Sequence, residues 1–259
     1  MSFTDPDWSG AFYPESLKQG EWLAYYSRHY NAVELDTTFY AIPPPQRVQR
    51  WRDVTPPDFR FCLKTPRAIT HDRPLPAGMT EMLQFLDVCR GFEQKLGVVL
   101  IQFAPSFTAV RFADVDRFLG GLPNDIRYAV EFRDRSWGSP DTLRMLHAHG
   151  VSFVSAEYAS RPSRVFATAD FLYLRWIGVH DRYPRHEREL ADVSDALAWW
   201  QQAIGAALPK VRAVWGFFNN DYSGYSPATA NRFKRMIGLE AREPTEGKTF
   251  GLFDTELPS

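Results

Sequence analysis

A chain of 259 residues, 44% hydrophobic and 24% charged, has the composition of an ordinary globular protein and enough material for one large α/β domain or two smaller ones. Lys plus Arg number 30 against 31 Asp plus Glu, a formal charge of −1, so no global basic excess advertises nucleic acid or an acidic membrane surface. The acidic, proline-broken start Met1–Asp7 and the short apolar runs predict neither a signal peptide nor a membrane span, and Cys62 and Cys89 read as buried free thiols of a reducing cytoplasm.

Asp5-Pro6-Asp7 and Tyr13-Pro14 mark a loop, and the apolar spacing of Leu17, Trp22, Leu23, Tyr25 and Tyr26 predicts a helix to Tyr30. A short strand Ala32–Asp36 leads through Pro43-Pro44-Pro45 to a helix over Gln46–Asp53 and a strand over Phe59–Lys64. The loop Thr65–Ala77 carries His71, and a helix follows over Met79–Phe92. Leu96–Phe103 is the most continuous apolar strand, as in a parallel sheet covered on both faces. Helix Val110–Leu119, strand Tyr128–Arg133, helix Asp141–His149 and strand Val151–Glu157 continue the alternation. After a polar loop come strand Phe171–Trp176, a polar excursion through Asp181–His186, and helix Leu190–Ala207. Strand Arg212–Asn219 and a last helix, opened by Ser226 as N-cap and Pro227 in its first turn, precede a peripheral tail from about residue 240.

Seven strands alternating with helices, without linker or repeat, predict a single parallel α/β domain over 1–259. Seven is one short of the eight of a TIM-type (β/α) barrel, and the shortfall falls at Met1–Thr4, where the first strand is truncated or missing. A doubly wound open sheet is the rival, but the Gly-rich phosphate turn it would carry is absent.

Several collinear passages resemble the YecE-like family, domain of unknown function 72. They include Phe12-Tyr13-Pro14, Val33–Tyr40, Trp51, Phe59–Lys64, Ile69-Thr70-His71, Gln102–Phe107, Glu131-Phe132-Arg133, Ser136-Trp137, Leu172–Arg175 and Phe218–Asp221. The resemblance implies a TIM-type barrel and no established biochemical function. Chains of that family usually begin with a strand ending in Gly-Thr-Ser-Gly or similar, and here only the Asp-Trp that follows it, Asp7-Trp8, is present; Asp36 stands where Asn is commoner, and Ala104 where Pro is commoner.

In a barrel, alternate strand residues face inward and chemistry sits at the C-terminal strand ends. Parity then turns Glu34, Asp36, Lys64, Gln102, Glu131, Arg133, Glu157 and Arg175 inward, with Asn219 or Asn220 closing the ring. Seven inward charges on five strands are costly as mere fold support, which points to a functional pocket. Within it Glu131 is the first choice for a general acid or base, its alternative being a salt bridge to Arg133 or Lys64. Lys64 would bind an anion or form a Schiff base, and His71 would relay a proton or order its loop. Tyr40, Trp137, Trp176 and Tyr225 lie near strand ends where an aromatic could stack on a sugar or base.

No cofactor is predicted. A divalent metal, were one bound, would sit on Glu34, Glu131 and Glu157, because His71, His180 and His186 are spread over distant loops and His29, His147 and His149 belong to the surface at the opposite end. A phosphate seat is assembled from Arg175, Gly178, Ser223-Gly224 and the helix opened by Ser226. The leading function is cofactor-independent acid/base chemistry, by a hydrolase, lyase or isomerase, on a small polar, anionic or sugar-like substrate. A nucleic-acid binding or processing barrel and a non-catalytic ligand-binding barrel are the alternatives, with no membrane partner.

Overall fold

Helices return the chain between most successive strands, and every strand pairing is parallel. The computed structural model describes residues 3–72, 75, 77–158 and 164–244. In chain order it forms α1 (Trp22–His29), β1 (Ala32–Leu35), α2 (Pro45–Asp53), β2 (Arg60–Lys64), α3 (Arg67–Thr70), α4 (Met79–Arg90) and β3 (Leu96–Gln102). Then come α5 (Phe112–Gly120), β4 (Arg127–Glu131), α6 (Pro140–Ala148), β5 (Ser152–Phe153), β6 (Ser155–Tyr158) and β7 (Phe171–Gly178). The chain continues with α7 (Ser194–Ala207), β8 (Ala213–Phe218), α8 (Asn220–Ser223) and α9 (Ser226–Met236).

The strands make two parallel sheets, β1-β2-β3-β4-β5 and β6-β7-β8, in chain order. What the sequence reads as one fifth strand is two, broken at Val154. The break is slight, since the Val154 amide still donates to the Val130 carbonyl at 2.9 Å and carries the chain from one sheet into the other. The sheets do not close into a barrel: among the described residues nothing pairs with the outer edge of β1 or β8, between which the truncated or missing first strand would lie. Residues 3–31 contain no strand, only an isolated bridge between Ser9 and Tyr13; Met1 and Ser2 lie outside the described residues. A cleft of about 1070 Å³ lies where a strand between β8 and β1 would run, lined by Ala32 and Arg60 on one side and Ala213 and Trp215 on the other.

Inside the ring, Cys62, Val98, Leu100, Ala129, Val154, Tyr173 and Phe217 form an apolar layer. The larger cluster, including Phe61, Phe85, Phe118, Val130 and Leu146, fills the space between strands and helices. A separate outer cluster, including Leu172, Leu174, Trp176, Leu197 and Trp200, joins β7 to α7; strand parity thus separates the inner core from the outer packing, the inner one small because few side chains fit within the ring. Both cysteines are buried and free. His29, read as a surface residue, is buried against Phe12 and Tyr25, its Nδ1 3.0 Å from the Tyr25 carbonyl, because its helix face packs beneath the aromatic N-terminal loop. Ser226 is the first residue of α9 rather than its cap, and its amide donates to Asn220 Oδ1 at 2.9 Å. No helix of the described residues is long and apolar enough to cross a membrane. Of the tail expected beyond about residue 240, the part from 245 lies outside the described residues.

Candidate functional site at the strand ends

One step of two residues beyond the inner apolar layer, the strands become polar. Cys62 is followed by Lys64, Leu100 by Gln102, Ala129 by Glu131, and Tyr173 by Arg175. The same alternation that packs the interior therefore stacks a charged layer on it.

Arg175, 4% exposed, is the centre of this layer. Its Nη1 donates to Glu131 Oε2 at 2.6 Å, and its Nη2 and Nε to Glu34 Oε1 at 2.7 and 3.2 Å. Asp36 Oδ1 is 3.5 Å from Nη2. The register sets Gln102 beside Glu131, so Gln102 Nε2 donates to Glu131 Oε2 at 2.9 Å. The Tyr158 hydroxyl donates to Glu131 Oε1, and the Tyr173 hydroxyl to Glu34 Oε2 at 2.6 Å. Burial and the adjoining carboxylates raise both phenols, which keeps them protonated donors.

The two buried glutamates differ. Burial would raise Glu131, but the charge of Arg175 and hydrogen bonds from Tyr158, Gln102 and Arg175 outweigh it and hold the carboxyl below its ordinary value. For Glu34 burial wins over Arg175, with Asp36 adding like-charge repulsion, and its carboxyl is raised. The Glu131 carboxyl is thus held ionised, and its ion-pair partner is Arg175, not Arg133 or Lys64.

Lys64 has a different environment. The 3₁₀ turn Asp36–Phe39 follows β1 and is tied to the end of β2 by the Thr38 hydroxyl, which donates to Lys64 O at 2.7 Å. That tie sets the Phe39 ring 4.2 Å from Lys64 Nζ. Among the described residues no carboxylate lies within ion-pair distance of Nζ. Burial lowers the Lys64 pKa; Asp36 opposes the shift and Arg175 adds to it. His71 packs edge-on against the same Phe39 ring at 5.1 Å and shares a 2.8 Å hydrogen bond with Thr70 through Nδ1. Burial and the charges of Lys64 and Arg67 lower its pKa, so the imidazole is neutral near pH 7. Arg133 lies over the Tyr158 ring at 5.4 Å.

The remaining expected residues are elsewhere. Glu157 faces away from this layer: its Oε2 accepts from the Trp200 indole and, at 3.0 Å, from the Tyr222 hydroxyl. Val154 belongs to the inner core and Ala156 packs against it, so inward parity runs through the even-numbered residues and brings Tyr158, not Glu157, to the site. The metal trio Glu34, Glu131 and Glu157 is consequently not assembled. Asn219 caps α8 through its side chain, and Asn220 holds Asp5 Oδ2 at 2.6 Å, so neither closes the ring. The phosphate seat is also taken: Arg175 faces carboxylates, and Asn220 occupies the first amide of α9. Trp176 and Tyr225 are buried, whereas Tyr40 is 82% exposed at the rim.

Trp137 is fully buried, stacked on Phe132 at 3.9 Å, with its indole donating to Phe107 O at 2.7 Å. It is a packing residue of the outer core. Trp137→Ala should cost about 3–5 kcal/mol in urea unfolding, the range for truncating a buried aromatic. A loss below about 1 kcal/mol would mean that the stack is dispensable.

Parallel sheets with a polar, charged layer at one end of the strands define an α/β protein with a candidate site on that face. The chain belongs to the DUF72 family, protein of unknown function, whose model matches residues 1–250. It is 34% identical over 167 residues to the UPF0759 protein YecE of Escherichia coli K12, a match covering 61% of this chain and 60% of that relative. It is 27% identical over 264 residues to the UPF0759 protein YunF of Bacillus subtilis, covering 89% and 91%. A DUF72 family crystal structure from Thermotoga maritima matches with a TM-score of 0.75 at 28% identity, over 91% of this chain and 96% of that one. One from Enterococcus faecalis matches in fold, with a TM-score of 0.69 at 22% identity, over 84% and 94%.

Proposed function

We propose that this protein is an enzyme acting by cofactor-independent acid/base chemistry on a small anionic, polar or sugar-like substrate, bound at the C-terminal strand ends of a single-domain (β/α) barrel left open between β8 and β1. The observation that carries this reading is the division of labour among the charges. The carboxylates Glu34 and Glu131 are both paired with the single guanidinium of Arg175, while Lys64 is half-buried with no carboxylate at ion-pair distance among the described residues, beside a neutral His71. A lysine in that state attracts an anionic group and, at lowered pKa, is prepared to take or give a proton. Glu34, Asp36, Gln102, Glu131 and Arg175 position the site, and Arg133 and Tyr40 stand at its rim. Buried free thiols suit a cytoplasmic protein.

A thermal-shift and turnover screen of phosphorylated, carboxylated and neutral sugars tests it. Stabilisation by anionic compounds, with turnover of at least one, is the expected result; stabilisation by none of them would remove the substrate class. The exposed Tyr40, whose ring packs on the Phe39 that lies against Lys64, favours nucleic acid as the second reading, through a base stacked on its ring. Binding of a single-stranded oligonucleotide at low salt, weakening steeply as salt rises, would favour that reading over the small-molecule one.

A further inference from the structure

A second polar cluster lies outside the strand-end site, where three distant segments meet. The N-terminal loop supplies Asp5 and Asp7, anchored by the buried Trp8, and the excursion after β7 supplies His186. Asp221 comes from α8. Gly178, at φ +76°, lets β7 end against α8 so closely that a Cβ there would meet the Asp221 carbonyl oxygen at 2.1 Å. The segments are sewn together by the His186 amide donating to Asp7 Oδ2 at 3.0 Å and by Asn220 Nδ2 donating to Asp5 Oδ2 at 2.6 Å.

The two faces of the His186 ring are unlike. Nδ1 is 3.0 Å from Asp5 Oδ2 and 3.9 Å from Asp7 Oδ2. One ligand atom from each of these three residues lies within 4.8 Å of the others. On the opposite side Nε2 is buried without a hydrogen-bond partner, and 3.7 Å away so is Oδ1 of Asp221, a residue 7% exposed. These two orphans face each other just beyond hydrogen-bond distance, and a small shift of the ring would pair them if the proton were on Nε2. Nδ1 stands at hydrogen-bond distance from Asp5 Oδ2: it either carries the proton and donates it there, or, with the proton on Nε2, turns a bare lone pair toward two carboxylates, an arrangement that repels unless a cation sits between them. Among the described residues no lysine or arginine pairs with Asp5, Asp7 or Asp221, whereas Arg175 pairs with the acids of the strand-end site.

We propose that Asp5, Asp7 and His186 Nδ1 bind a divalent first-row transition ion, with Asp221 as the positioning residue that accepts from Nε2 and fixes the ring. Two carboxylates and one imidazole suit Mn²⁺ or Zn²⁺, and the nitrogen donor disfavours Mg²⁺. Three protein ligands leave coordination positions open to water or a ligand. This site shares no residue with the Lys64 reading, and either can fail without the other.

The test is calorimetric titration and thermal melting of the chelator-treated full chain with ZnCl₂, MnCl₂ and, as control, MgCl₂. One Zn²⁺ or Mn²⁺ per chain is expected, with melting raised by about 5–10 °C at a hundredfold excess over Kd. Asp7→Asn, at a half-exposed position away from the core, should abolish binding, and Asp221→Asn should weaken it about 10–100-fold. His186→Gln, with circular dichroism to verify folding, should also bind no ion. The rival is an ion-free cluster in which His186 Nδ1–H donates to Asp5. In that case chelated and metal-supplied protein would melt together, and that result, or binding unchanged in Asp7→Asn and Asp221→Asn, would overturn the proposal.

Discussion

Arg175→Met should be the most damaging single substitution at the strand ends. It removes the group that contacts Glu34, Asp36 and Glu131 and leaves two carboxylates, 0% and 1% exposed, without their counter-charge. Breaking one buried pair typically costs about 3–5 kcal/mol, and here two are broken together. Against a total stability of roughly 5–15 kcal/mol, the variant is expected to be unfolded or nearly so at room temperature. Arg175→Lys should recover little, because a single ammonium cannot present the fork that reaches both glutamates. A triple variant, Arg175→Met with Glu34→Gln and Glu131→Gln, should regain much of the loss, since neutral replacement of a whole buried network is far less costly than removal of one member. Urea unfolding of the three proteins decides. If Arg175→Met unfolds with the parent, the network does not hold the strand ends.

The unequal glutamates add a pH signature. Glu131 has a folded pKa below its ordinary 4.5, so its stabilisation is complete above that value and is lost as pH falls through the folded pKa. Glu34 has the opposite sign: its raised pKa makes ionisation a penalty that develops as pH rises from 4.5 through the folded value. Glu131→Gln should therefore be clearly destabilised at neutral pH and lose less further stability on acidification than the parent. Glu34→Gln should be the milder change near neutrality. Melting curves from pH 3 to 8 test both, and equal losses for the two variants would contradict the asymmetry.

Most of this architecture can be read in the sequence because small or apolar residues alternate with polar ones toward the strand ends. Glu34, Lys64, Gln102, Glu131 and Arg175 each stand at an inward position of that alternation, and the strands bring them to one layer. The reading fails where both faces of a strand are buried. From Val151 to Ser155 every residue is inside, so polarity carries no sign of parity and Glu157 is assigned to the wrong face. Tyr158 and Tyr173 are missed for a related reason: an aromatic looks like packing, and its role rests on a hydroxyl whose partner is remote in sequence. Trp137 misleads the other way, lying just beyond a strand end but turned into the outer core. The Asp5, Asp7, His186 and Asp221 cluster joins two loops and a short helix up to 216 positions apart (221 minus 5), and local pattern has no means of pairing them.

Lys64→Met separates function from stability most sharply. Methionine keeps most of the length of the side chain and its contact with Phe39 but removes the ammonium. If Lys64 carries the proton transfer, turnover of the substrate found by screening should fall by about 10²–10⁴-fold. Stability should not fall with it. Burial holds the Lys64 pKa below its ordinary 10.5, so the charged form is disfavoured by folding, and that penalty is fully present below the folded pKa. Relief comes only as pH rises from the folded pKa to 10.5, where the unfolded chain also loses the proton. The variant should accordingly melt at or above the parent near neutrality, and the parent should gain on it as pH is raised toward 10. This is the opposite of what Arg175→Met should do, although both positions belong to the same layer of charge. A Lys64→Met protein that is active but melts lower, with the gap unchanged by pH, would make Lys64 a stabilising cation, and the catalytic reading of the strand ends would fall with it.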